Sequence, residues 1–504
     1  MEMELHRQTL EGFHLVFDSA LAQEETLECI VPDALPDVAR IVSAVGHIFL
    51  KNRQAGGGTL RLSGSVYVTV LYIPEGENLP KSMEAELPFQ CTKDCPQIHE
   101  NCRVQASAFV ISADARAMNP RKLLIRASLS FLVQVYEQQL REITCDASDG
   151  KEYHLEKQYV QSEDWTVADV MEKSFLFSDV LRPPASRPTM EELLYYRLQL
   201  GAAEAKAIGK KLICKGEFHL STLYRSGAAI LNAGFELPFS QIFDLAQSVE
   251  DSEVNLSILA TGLQCTLQDG ELAISVEALA QAVLWVRQPL TVMSDAYCTS
   301  SPLDVERAPC TFCISAVHDE CRETARQFCE SGIPAKQVLD CFASVESIEC
   351  KQEEGKLSCS VQLHVEALYL SEDDALCGVG YAIPVSCEIN IPDGGSCRCE
   401  CLPIGELTAV PVTGGLEVRG EVLFSWVTIQ EKSIPCVITL RQGTVPAVQM
   451  PKPSLIIRMV GEGESLWEVA KSCGATIQDI RTANEITDDE VATGTLLLIP
   501  TKRS

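Results

Sequence analysis

The residues with most capacity for chemistry are the cysteines, of which the chain has 22. Cys310 and Cys313 form a C-x-x-C pair, with Cys321 and Cys329 downstream. Four thiolates can hold zinc, but a zinc knuckle needs a second close pair, which this spacing lacks. His318 stands alone between them. Cys397, Cys399 and Cys401 alternate along a strand-like segment and project to one side, as a metal patch or simply a strand face. Cys91, Cys95 and Cys102 read as loop residues without an evident partner. Catalytic motifs are missing. There is no G-x-S-x-G elbow and no H-E-x-x-H; the nearest approach to a phosphate loop, Gly209-Lys210-Lys211, lacks the following hydroxyl and has Glu204 where the first glycine belongs. Carboxylates are many, yet no pair is set apart as acid and base. The expectation is a non-enzymatic chain with no catalytic residues, no metal site and no cofactor.

The elements that position these residues belong to a long globular chain. At 504 residues it should divide into about three to five domains. Hydrophobic residues at 46% against 22% charged exclude a disordered chain. The formal charge of -29 repels phosphates and anionic headgroups, so neither nucleic acid nor a membrane surface is an expected partner. The N-terminal MEMELHRQTLEG has no apolar run, and the longest apolar stretch, Ala278 to Val286, is short and interrupted by Gln281. The chain is therefore expected in the cytoplasm with reduced thiols, most of them small buried hydrophobes such as Cys214, Cys265 and Cys359.

Self-comparison finds one pattern three times. TLRLSGSVYVTVLY ends in Leu71-Tyr72, KLICKGEFHLSTLY in Leu223-Tyr224 and KLSCSVQLHVEALY in Leu368-Tyr369. Leu60, Leu212 and Leu357 each precede the tyrosine by twelve residues. A polar turn and an apolar-Pro pair follow: Leu87-Pro88, Leu237-Pro238, Ile383-Pro384. Each copy closes on an alternating segment, Leu123 to Phe131, Leu272 to Ala278 and Leu416 to Phe424, the period of a strand with one buried face. An amphipathic segment precedes each copy, at Pro36 to Phe49, Thr189 to Lys206 and Ala335 to Cys350. Three β-rich domains are expected at 29–145, 189–290 and 335–440. The intervening stretches read as an N-terminal segment (1–28), a linker (146–188), a Cys-containing linker (291–334) and a last linker (441–454). The organisation resembles the SPOCS domain of spore-coat-associated proteins. VPDALPDVARIV at Val31 to Val42 carries the likeness, as do Val66, Phe218 and Leu363, each five residues before the leucine of its Leu-Tyr pair.

The final segment, 455–500, reads as β-α-α-β. Leu455 to Val460 is a strand, and Ser465-Leu466-Trp467-Glu468 is a capping box. Leu466, Val469, Ala470 and Cys473 form one apolar helix face, ended by Gly474. Thr476 caps a second helix with Ile477, Ile480 and Ala483 inward, Asn484 suits a left-handed exit, and Gly494 turns into the strand Leu496 to Ile499. The order of residues from Val460 to Pro500 resembles LysM. The resemblance implies a shallow groove between two loops, here Gly463, Glu464, Ser465 and Leu466, then Asn484, Glu485, Ile486 and Thr487. Leu466 and Trp467 also read as core, and Ser465 first as a cap. Departures from the family pattern are Glu464 for aspartate, Ser465 for threonine, Arg458 for an aromatic and Thr493 for proline.

Together the repeats and LysM are similar to the SipL-type spore coat morphogenetic proteins. That resemblance implies a scaffold at the forespore surface in the mother-cell cytoplasm. Its implied partners are a coat-basement ATPase of the stage IV sporulation protein A type and other coat proteins. The alternative is a peptidoglycan-binding protein of the wall or cortex whose LysM takes an N-acetylglucosamine-containing glycan.

Overall fold

The computed structural model describes residues 3–148, 154–249, 252–392, 394–443, 453–487 and 491–501. The chain is multidomain and mainly β, with helix only in the C-terminal module among the described residues. The first unit has strands β1 (Leu5–Ile30), β2 (Val38–Gly56), β3 (Thr59–Pro74), β4 (Lys81–Asp94), β5 (Arg103–Asn119) and β6 (Lys122–Ala147). The second has β7 (Leu155–Leu181), β8 (Glu192–Ser226), β9 (Ala229–Val249), β10 (Ser252–Gln268) and β11 (Glu271–Cys298). The third has β12 (Leu303–Glu330), β13 (Ala335–Glu353), β14 (Lys356–Ser371), β15 (Leu376–Asn390), β16 (Gly395–Val412) and β17 (Gly415–Gln442).

One plan recurs. Strands β2-β3-β4 and β13-β14-β15 form three-stranded sheets, and β8 pairs with β9. In the second unit β8 bends at Gly209, whose φ of +60° suits glycine, and folds back on itself: the Glu191 N–H donates to Arg225 O, and Gly201 lies against Glu217 and His219. The second sheet of each unit joins its first strand to its last two, in the orders β1-β6-β5, β7-β11-β10 and β12-β17-β16. Strand β7 also touches β1, which merges the first two of these into six strands. Register repeats too: Val66 faces Leu87, Phe218 faces Leu237 and Leu363 faces Ile383, all six buried.

The Leu-Tyr pairs have a physical reason. Successive side chains on a strand point to opposite faces. Tyr72, Tyr224 and Tyr369 enter the core of their own unit, where the hydroxyls donate to Pro36 O (3.3 Å), Pro188 O (3.2 Å) and Ser331 O (3.2 Å). Leu71, Leu223 and Leu368 point the other way into one shared cluster with Val45, Tyr195 and Leu339. Polar contacts reinforce this junction. The buried Arg197 pairs with the half-buried Asp340 at 2.8 Å, Tyr195 donates to Asp340 at 2.5 Å, and Arg40 donates to Leu376 O at 2.8 Å.

Strands run through several stretches that read as linkers in the sequence. The N-terminal segment 1–28 contains β1, paired with β6 along its length. The linker 146–188 contains β7, paired with β11 from Leu155 to Leu181. The Cys-containing linker 291–334 holds the end of β11 and the whole of β12. Charge on the solvent face, as at Glu163 and Glu172, hid the strand period of β7. Each unit therefore begins one long strand earlier than its sequence pattern, and Cys91 is in β4. Of the linker 441–454, residues 444–452 lie outside the described residues. No helix among the described residues is long and apolar enough to cross a membrane.

Truncating a shared leucine should loosen all three units at once. Leu223→Ala should cost about 2–5 kcal/mol, as buried leucine truncations do. Tyr224→Phe should cost only about 1 kcal/mol, the worth of one hydrogen bond. Urea denaturation followed by circular dichroism ranks the two; a Leu223→Ala cost below that of Tyr224→Phe would remove the shared cluster from the account.

Candidate functional site: the C-terminal module and its seat

The module is built from β18 (Leu455–Met459), α1 (Leu466–Cys473), α2 (Ile477–Asn484) and β19 (Leu496–Pro500), with β18 and β19 antiparallel. Ser465 caps α1 by a reciprocal box: its hydroxyl accepts from the Glu468 N–H, and the Glu468 carboxylate accepts from the Ser465 N–H at 2.9 Å. These bonds, the backbone one first, hold the Glu468 carboxyl below its ordinary value. Gly474 ends α1 in the left-handed conformation and Thr476 caps α2. The left-handed exit of α2 falls on Glu485 (φ +54°), not on Asn484. Asn484 is held back in the helix because its amide clamps β19: Nδ2 donates to Leu498 O and Oδ1 accepts from the Leu498 N–H, both at 2.7 Å.

The eight groove positions therefore divide. Leu466 is fully buried, Ser465 is spent on the cap and Asn484 on the strand clamp. Glu464 is half-buried and committed: Arg458 donates to its Oε1 at 2.5 Å, and its Oε2 accepts from the Gly461 N–H at 3.1 Å. Arg458, where the family favours an aromatic, thus holds Glu464 in an ion pair and also reaches Ser472. Ile486 packs on the module core, which leaves Gly463, Glu485 and Thr487 as exposed groove positions.

The module sits on the end of β11. Asp295, 4% exposed, accepts from Trp467 Nε1 at 2.9 Å and from Lys471 Nζ at 2.6 and 2.7 Å, with Arg307 at 3.7 Å. Tyr297 packs edge-on to Trp467 with ring centroids 4.9 Å apart, and its hydroxyl donates to Ala475 O at 2.7 Å. Burial alone would raise the Asp295 carboxyl, but the Lys471 and Trp467 hydrogen bonds outweigh it and hold it below its ordinary value. Burial also raises the Tyr297 phenol, so it remains a neutral donor. Trp467 is thus both module core and docking contact. None of these seating bonds uses Gly463–Leu466 or Asn484–Thr487.

The model of the SipL SPOCS domain matches residues 37–118, and that of the LysM domain matches residues 459–500. The chain carries a SipL SPOCS domain and a C-terminal LysM domain. The SPOCS match spans β2 to β5 of the first unit, and the LysM match spans the module from the end of β18 through β19. These two domains fit a sporulation-related protein. No curated protein and no solved structure matches the chain.

The sequence reading of the LysM positions missed the seat, because nothing near Ser294-Asp295 in sequence announces a partner 176 residues away. Gln281 was visible only as an interruption. Its amide bonds both the N–H and the O of Ala106 on β5, at 3.0 and 2.8 Å, and its Oε1 also accepts from Arg53 at 2.5 Å, which joins the first two units. Cys310, Cys313, Cys321 and Cys329 are spread along β12 and are not brought together. Cys313 donates its N–H to Asp164, whereas Cys321 meets Cys387. Cys350 and Cys359 face each other directly on β13 and β14 and form a disulfide, which corrects the expectation of a wholly reduced chain.

Asp295→Ala should release the LysM module from β11 at a cost of about 3–5 kcal/mol, because one member of a buried pair is left behind. Amide exchange should rise at 293–298 while α2 keeps its protection; unchanged exchange at 293–298 would count against the seat. Because the folded carboxyl is depressed, its contribution is fully present above the ordinary value. It should decline only as pH falls below about 4 and vanish below the folded value.

Proposed function

We propose that the chain is a non-enzymatic scaffold of spore-envelope assembly. In this reading it acts in the mother-cell cytoplasm at the forespore surface and docks a coat-basement ATPase of the stage IV sporulation protein A type, together with other coat proteins, through LysM and the repeats. The observation that carries it is that the module is seated by α1 while Gly463, Glu485 and Thr487 stay exposed. A rigid body then presents the groove loops outward, which lowers the entropic cost of binding. Several weak contacts on one chain would add to avidity on a polymerised partner.

We also infer that the second and third units are SPOCS-like. The equivalent tyrosine hydrogen bonds, strand register and shared leucine cluster support this. The LysM match itself supports glycan as the alternative ligand. Against it, none of the eight groove positions is aromatic, so a sugar ring has no flat apolar face to stack on, and Arg458 has bound Glu464, the one acid among the four first-loop positions.

The cleanest loop probe is Glu485→Gly with Thr487→Ala. Glycine at φ +54° relieves the backbone, so the double variant should fold within about 0.5 kcal/mol of the parent. It should lose co-purification with the coat-basement ATPase from sporulating cells and keep its circular dichroism spectrum. Undiminished capture by the folded variant would move the docking surface away from the groove.

A further inference from the structure

Thirteen of the 22 cysteines lie between Leu303 and Gln442, in the third unit. Several face one another across its two sheets. Cys321 and Glu323, two residues apart on β12, share a strand face, and Cys387 projects towards them from β15 of the opposing sheet. The Cys321 and Cys387 sulfurs are 3.1 Å apart. A Glu323 carboxylate oxygen and both sulfurs all lie within 4.8 Å of one another. Cys399 on β16 borders this trio, with its thiol within 4.8 Å of the Cys350 and Cys359 sulfurs. The Cys350–Cys359 disulfide takes that neighbouring pair out of contention as ligands.

The fold does not demand this trio. By strand register, Cys321 and Glu323 correspond to Leu21 and Gln23 in the first unit, and Cys387 to Cys91. In the second unit the corresponding residues are Lys173, Phe175 and Gln241. The other two units close the same space without assembling two thiols and a carboxylate. A disulfide alone would account for the two sulfurs but leaves Glu323 with no reason to join them.

We propose that Cys321, Glu323 and Cys387 form a site for one thiophilic divalent d10 ion, Zn2+ or a chemical equivalent, that pins the two sheets of the third unit together. Tetrahedral zinc takes thiolate and carboxylate ligands at about 2.3 and 2.0–2.2 Å, which small side-chain rotations of these three groups supply, with water in the fourth position. Binding displaces the two thiol protons to solvent and forms two metal–sulfur bonds and one metal–oxygen bond; nothing is oxidised or reduced. The spacing of cysteines along the chain could not reveal the site, because its donors come from two strands in different sheets.

The test uses the full chain with Cys350→Ser, which keeps the neighbouring Cys350, Cys359 and Cys399 group from binding metal once a reductant opens its disulfide; this parent is stripped with chelator, kept reduced so that Cys321 and Cys387 are thiols, and titrated with Cd2+ and then with Zn2+. The expected result is one ion per chain, an ultraviolet cadmium–thiolate charge-transfer band, and a higher melting temperature with metal. Cys321→Leu and Glu323→Gln copy packing present in the first unit (Gln23 itself for the second), so each should fold. Cys321→Leu should lose the band and the bound ion, and Glu323→Gln should weaken binding at least about ten-fold. Cys310→Ala with Cys436→Ala, elsewhere on the β12–β17 pair, should bind as the parent does. Substoichiometric metal in the parent, an undiminished band in Cys321→Leu, or unchanged affinity in Glu323→Gln would each overturn the site. So would peptide mapping that finds a Cys321–Cys387 disulfide in chain isolated without reductant and free of metal.

Discussion

Leu71, Leu223 and Leu368 must be covered, and a strand cannot turn them inward without turning the neighbouring tyrosine outward. Both residues of each Leu-Tyr pair are nonetheless buried. That is feasible only if each of these strands has packing on both faces: its own unit's core on one side and the other units on the other. Burying a leucine contributes about 1.5–3 kcal/mol, so three meeting at one point give a strong reason for the units to associate through these faces. The Arg197–Asp340 pair and the Gln281 clamp on β5 add direction to this association.

The C-terminal module extends the same logic with a charge in place of an apolar side chain. Asp295 is a carboxylate almost without solvent, and such a group is tolerated when it is paired and hydrogen-bonded. Lys471 and Trp467, one turn apart on α1, supply both needs, and Tyr297 fills the space beside them. LysM is therefore held by the face of α1 that carries Trp467, and its groove loops make none of these bonds. The scaffold reading rests on that division of surfaces.

Local rules were legible in the sequence and distant ones were not. The capping box at Ser465–Glu468, the stop at Gly474 and the three alternating strands each depend on residues a few positions apart, so their pattern survives in one dimension. Strands β7 and β12 read as linkers in one dimension, since their solvent faces carry charge and, in β12, cysteines that suggest chemistry along the chain. Among the groove positions, Glu464 and Asn484 looked available because Arg458 and Leu498 make their claims only after folding. Asp295 gave no local sign at all, since a buried acid in sequence is indistinguishable from an exposed one.

The most direct measurement is amide hydrogen exchange on the full chain with and without the purified coat-basement ATPase, and separately with an N-acetylglucosamine oligomer. The account predicts that the ATPase protects 463–466 and 484–487, that the seat at 293–298 is unchanged, and that the sugar protects neither loop. Protection of these loops by the sugar alone, or by neither ligand, would contradict it.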